Sequence, residues 1–188
     1  MAIRIYIDQG HNPSVPNGGA VGNGLKEQDI TYEVGIRLKE LLDDDPDFDA
    51  RVSRPTPETT LGTTNAQSLG LRVQGANEWN ADFFVSIHAN ASVNAAASGS
   101  EAYAYSTASP GFAMGQSILD RLNRETGLRD RGTFVRPTLY VLRRTKMPAV
   151  LIELGFITNP YDAELMAKEP DRFARGIYEG ILQFYGLA

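Results

Sequence analysis

Asp82-Phe83-Phe84-Val85-Ser86-Ile87, followed at once by His88, is an almost wholly apolar run. Runs of this kind mark strands buried on both faces, as in parallel sheets covered by helices. The flanking segments agree. Ala66–Trp79 carries Leu69, Val73 and Ala76 at helical spacing, and Phe112–Thr126 reads as a second helix beyond a small-residue loop at Ala95–Ser100. Further out, Ile3–Asp8, Asp49–Arg54, Glu101–Tyr105, Thr138–Leu142 and Ala149–Phe156 read as strands. Glu27–Leu42, Tyr161–Ala167 and Asp171–Tyr185 read as helices. Gly10 to Gly24 is a long loop of turn-forming residues, and residues 58–64 form another. Strands alternating with helices predict an α/β domain spanning residues 1–188: one twisted sheet, mostly parallel or mixed, of about six strands with helices on both faces.

Composition narrows the functions. The chain of 188 residues has no cysteine, two histidines and a formal charge of -5. Without cysteine, disulfide frameworks, zinc fingers, iron–sulfur clusters and thiol catalysis are excluded. The acidic balance argues against nucleic acid and anionic membrane as partners. No run approaches the ~18 apolar residues of a membrane span, and the alternating Met1–Ile7 is too short for a signal-peptide core. A leaderless protein and a domain cut from a larger one both fit. Asp43, Asp44, Asp45, Asp47 and Asp49 lack the glycine and distal glutamate of a calcium loop and read as a solvated loop.

Four residues stand out chemically. His11 follows the first strand and His88 ends the apolar run. Ligands in open α/β sheets bind at the carboxyl ends of strands, so two such histidines can face one crevice. Backbone hydrogen bonding is the plain alternative for each. A metal site of this type needs a third ligand and an open position. Glu27 opens the helix after the glycine-rich loop, where the loop can fold it back toward His11; dipole complementarity is its plainer role. Glu153 interrupts the apolar Ala149–Phe156, where a carboxylate is costly unless paired or near a cation. It is a buried salt-bridge residue or a general base. Arg143, Arg144 and Lys146 form a basic cluster that is either solvated or holds a substrate carboxylate. The chain has no Gly-x-Ser-x-Gly elbow, no P-loop and no His-Glu-x-x-His helix.

In order, these motifs resemble the zinc-dependent N-acetylmuramoyl-L-alanine amidases of the type-3 family, over essentially the whole chain. The resemblance rests on Asp8-Gln9-Gly10-His11, Gly19-Ala20-Val21-Gly22, Glu27, and Leu69 with Arg72, Ala76 and Asn77. It continues through Phe84–Asn90, Gly99-x-Glu101, Gly127–Gly132 and Tyr140–Arg143, and ends on the specific block Met147–Asn159. The departures are Gln9 for proline and Asn12 for glycine, which change loop stiffness rather than ligand chemistry. The resemblance implies that His11, Glu27 and His88 bind Zn2+ and that Glu153 is catalytic. It implies cleavage of the amide between N-acetylmuramic acid and L-alanine in peptidoglycan, at the bacterial cell wall or outside the cell; the chain itself reads as a single catalytic domain without a wall-binding domain, with a monomer as the default state. Only Ala91–Ser98 separates Asn90 from Gly99, which leaves no room for the inhibitory helix some members insert there. The rival readings are a zinc peptidase cutting the stem peptide, a non-catalytic wall-binding module and a purely structural zinc site.

Overall fold

A computed structural model describes residues 2–188. The elements run β1 (Ile3–Gln9), β2 (Val21–Gly22), β3 (Leu25–Lys26), α1 (Glu27–Asp43), β4 (Phe48–Val52), α2 (Asn65–Trp79) and β5 (Phe83–Asn90). They continue with β6 (Ser100–Ala104), α3 (Pro110–Thr126), β7 (Asp130–Val135), α4 (Tyr140–Arg144), β8 (Ala149–Phe156), α5 (Pro160–Lys168) and α6 (Pro170–Tyr185). Six strands form the main sheet in the order β4-β1-β5-β8-β6-β7. The first four are parallel; β6 runs antiparallel to β8, and β7 runs with β6. The mixed sheet matches the expected class.

Helix boundaries follow local chemistry. The Thr64 side chain accepts from Gln67 N, and the Ser109 side chain accepts from Gly111 N ahead of a proline in the first turn of α3. The acidic segment after α1 is mostly exposed, and Asp45 accepts a hydrogen bond from the Tyr178 hydroxyl at 2.7 Å.

One strand assignment needs correction. Thr138–Leu142, expected as a strand, lies in a turn leading into the short helix α4. One helical turn seats Val141 and Leu142 in the small cluster against α2 and β8, which a strand at that place would not do. The sixth strand is instead β7, a half-exposed edge strand with a polar sequence.

Strand alternation divides the core. Ile5, Ile7, Phe83, Val85, Ile87, Val150, Ile152 and Leu154 face α1, α3 and α6, whereas Tyr6, Phe84 and Leu151 face α2 and α4. Among the described residues the first cluster holds 27 buried hydrophobic residues and the second nine. Each fully buried aliphatic or aromatic side chain is worth ~1.5–3 kcal/mol, so most of the stability lies on the first side. With side chains alternating along each strand, Asp8 falls on the face of Tyr6, Ser86 and His88 on that of Phe84, and Glu153 on that of Leu151. The thin face thus turns polar at its strand ends.

Candidate active site

The chain leaves β1 through Gly10, whose amide donates to Ile87 O at 3.0 Å. A side chain there would place Cβ 2.6 Å from His88 Cε1 and 2.7 Å from Nε2, so only glycine lets the two segments approach. His11 follows with φ at 68°, a conformation that must be held from outside. Arg72, 1% exposed, supplies the hold. Its Nη2 donates to His11 O at 2.5 Å, and its Nη1 donates to Gln9 O and Asp8 Oδ1, both at 2.6 Å. Ser86 donates to Asp8 Oδ2 at 2.8 Å. Burial works against ionisation of Asp8, but Arg72 and Ser86 prevail and hold its pKa below the usual value.

Glu27 arrives by a tight hairpin. Asn23 and Gly24 both have positive φ, as a type I′ turn requires, and they join β2 to β3 directly before α1. Glu27 N donates to Ala20 O, and Ala20 N donates back to Glu27 Oε2, each at 2.9 Å. The other oxygen, Oε1, lies 3.2 Å from His11 Nε2 and 3.0 Å from His88 Nδ1, and accepts from Ala89 N at 3.0 Å. Burial opposes the charge of Glu27, yet its hydrogen bonds to the two imidazoles outweigh burial and lower its pKa.

The rings of His11 and His88 meet edge to face with centroids 4.9 Å apart. Ligand atoms from His11, Glu27 and His88 all lie within 4.8 Å of one another. No other such group occurs among the described residues. Two imidazoles and a carboxylate are a donor set suited to a divalent metal with an open position. His11 Nδ1 is buried without a partner.

Glu153 sits opposite His88 in the β5–β8 register, and Glu101 sits opposite Glu153 from β6. Glu153 Oε2 is buried and unpartnered, and its carboxylate forms no ion pair among the described residues, so the salt-bridge reading fails. Burial, then the charges of Glu27 and Glu101, push its pKa well above the ordinary value. Glu101 is satisfied by contrast: Asn90 Nδ2 donates at 2.7 Å, Arg131 Nε at 2.8 Å, and the Tyr103 hydroxyl also donates. A cavity of about 140 Å³ beside the histidines is walled by Leu69, Leu139, Tyr140, Val141 and Leu151. A larger hollow of about 320 Å³ near α1 and α5 touches none of these groups.

All four residues singled out in the sequence therefore meet at one end of the sheet. The Asp8–Arg72–Ser86 network was not foreseen from residue chemistry, although Arg72 shares the stripe of Leu69, Val73 and Ala76 and so had to be buried. The departures at Gln9 and Asn12 are tied down. Gln9 Oε1 accepts from Arg54 N at 2.8 Å, and Asn12 Nδ2 donates to Pro16 O at 2.8 Å and Leu61 O at 3.1 Å. Residues 91–99 join β5 to β6 without a helix over the site.

The family model described as N-acetylmuramoyl-L-alanine amidase matches residues 5–183. N-acetylmuramoyl-L-alanine amidase LytC of Bacillus subtilis (strain 168) is 34% identical over 185 residues, covering 96% of this chain but 35% of LytC. The germination-specific N-acetylmuramoyl-L-alanine amidase of the same organism is 32% identical over 194 residues, covering 96% of this chain and 79% of that protein. The catalytic domain of CwlV, the N-acetylmuramoyl-L-alanine amidase from Bacillus (Paenibacillus) polymyxa var. colistinus, superposes with a TM-score of 0.86 at 30% identity, covering 99% of both chains. The chain belongs to the N-acetylmuramoyl-L-alanine amidase family, a family of metalloenzymes that hydrolyse peptidoglycan.

Proposed function

We propose that His11, Glu27 and His88 hold a zinc ion, that Glu153 is the general base, and that residues 1–188 form one catalytic domain cutting the amide between N-acetylmuramic acid and L-alanine. The observation that carries this is the convergence of three donors beside an unpartnered carboxylate on the next strand. Bound zinc would lower the pKa of a water molecule towards ~7 and polarise the scissile carbonyl.

The protein's own residues supply the rest. Glu27 contributes one negative charge and the neutral imidazoles none, so a divalent ion keeps net positive charge toward substrate. Arg72 fixes the His11 backbone and Ala89 N fixes the Glu27 carboxylate, so the donors are set before the ion arrives. Glu153 takes a proton from the attacking water and passes it to the departing amine nitrogen of L-alanine. Its raised pKa suits both halves of that transfer. The domain would act at the cell wall, on the muropeptide itself.

The test is digestion of purified peptidoglycan by zinc-loaded protein, with mass spectrometry of the fragments. Free glycan and peptides starting at L-alanine are expected. Sugar–peptide linkages left intact would overturn the reading, and L-alanine left on the sugar would mark a peptidase.

A further inference from the structure

The metal-binding group leaves one feature of the same sheet face unused. Beyond Glu101, β6 presents Tyr103 on the side that carries Glu153, since Glu101 pairs with Glu153 and Tyr103 with Leu151, and Tyr105 follows in the bend just after the strand ends at Ala104. On β7, Phe134 pairs with Tyr103, their ring centroids 6.4 Å apart. Tyr105 and Phe134 are exposed by 46% and 41%. The Arg136 guanidinium lies over the Tyr103 ring, 5.2 Å from its centroid. Across the shelf, Leu142, Arg143, Lys146 and Met147 line a hollow of about 430 Å³ with Tyr105. Arg136, Arg143 and Lys146 are exposed, and none makes an ion pair among the described residues. In a chain of net charge -5, three unpaired cations around an open aromatic strip form a local reversal of sign.

We infer that this shelf binds the peptide side of the substrate, with Arg136, Arg143 and Lys146 receiving carboxylates of an acidic peptide that extends from Glu153 along β6. The inference rests on the amidase reading for what is joined at Glu153, and on charge and continuity for the rest. Tyr105 lies four positions beyond Glu101, about 13 Å at ~3.3 Å per residue. An extended peptide covers that span in about four residues. The cations thus meet carboxylates on the third or fourth residue past the scissile amide. Tyr105 and Phe134 offer flat apolar area to the intervening backbone and side chains. A neutral glycan chain would use the rings but leave the cations without partners, so the peptide is the better fit.

The test measures binding apart from cleavage. A synthetic tetrapeptide that begins with L-alanine and bears free carboxylates is titrated calorimetrically into the whole protein, beside a copy with every carboxylate amidated. The wild type is expected to favour the acidic peptide by about tenfold, a modest sum for three exposed cations. Triple substitution R136Q/R143Q/K146Q should abolish that preference, and should raise KM on the corresponding muropeptide. Y105A/F134A should weaken both peptides alike, and near-native circular dichroism of each variant confirms folding. Equal affinity of the wild type for the two peptides, or a preference that survives the triple variant, overturns the assignment. So does a peptide-free glycan oligomer that binds in a Tyr105- and Phe134-dependent way while the acidic peptide does not. A wild type that prefers the acidic peptide yet cuts no muropeptide supports the shelf and refutes the amidase reading.

Discussion

Replacing Arg72 by methionine removes the clamp behind the candidate metal ligands while keeping the length of the side chain. The variant loses hydrogen bonds to Asp8 Oδ1, Gln9 O and His11 O, and leaves Asp8 at 1% exposure without its cation. Breaking a buried pair from one side costs ~3–5 kcal/mol, because the surviving charge stays desolvated. For a domain of this size, each kcal/mol moves Tm by roughly 2–4 °C, so a fall of roughly 6–20 °C is expected. His11, held at φ 68° by that bond, should also lose preorganisation, weakening zinc binding by ~10–100-fold. The pH dependence carries a sign. In the wild type, the lowered pKa of Asp8 gives stability that is present above its ordinary value of 3.8 and lost as pH falls through the folded value. Without Arg72, burial raises that pKa, so the stability gap between the proteins should be wide near neutrality and narrow as acid protonates Asp8. Denaturant titrations of both proteins at several pH values, with zinc titration of the metal-free forms, read all three effects. An unchanged denaturation midpoint, a gap constant with pH, or equal zinc affinity would refute the clamp.

Other expectations follow from the same geometry. Glu153→Gln should cut kcat by ~10²–10⁴ while zinc stoichiometry holds. In the metal-free protein the same change should stabilise the fold at neutral pH, because the raised folded pKa of Glu153 makes its ionisation costly as pH rises above the ordinary 4.5; the gain should vanish below that value. Gly10→Ala, which drives Cβ into the His88 ring, should lower zinc affinity by ~10–100-fold, as read by competition with a chromophoric chelator. Chelation should abolish hydrolysis and lower Tm yet leave far-ultraviolet circular dichroism unchanged, since the main core contains none of the donors. Loss of the helical signal on chelation would mean that the metal is structural.

The parts of the fold legible in the sequence were those whose burial leaves a period. Phe83–Ile87 and Ala149–Phe156 are covered on both faces and read as apolar runs; Glu153 was conspicuous because it broke one. His11 and His88 were legible for a related reason, as polar residues placed where apolar strands end. Thr138–Leu142 misled because Thr, Tyr and Val favour strands, and a five-residue helix is too short to show its own period. Edge strand β7 was invisible because half its side chains meet water. The pairing of Arg72 with Asp8 joins residues 64 apart, and only the docking of α2 on β1 brings them together. Glu101 stands out in the sequence only as part of a family block; its adjacency to Glu153 depends on β6 running antiparallel to β8.

The unequal loading of the two sheet faces bears on how such a domain can change over generations. Among the described residues, twenty-seven buried hydrophobic side chains anchor one side and nine the other, where the candidate site opens. A mutation among α1, α3 and α6 is tested first by unfolding, whereas one on the rim of α4 or the outer part of β6 and β7 is tested first by what it binds. Substrate preference can therefore drift along that outer rim at small thermodynamic risk, while the thick side keeps the sheet folded and Arg72 of α2 keeps the His11 backbone in place. The architecture separates the freedom to adapt from the obligation to stay folded.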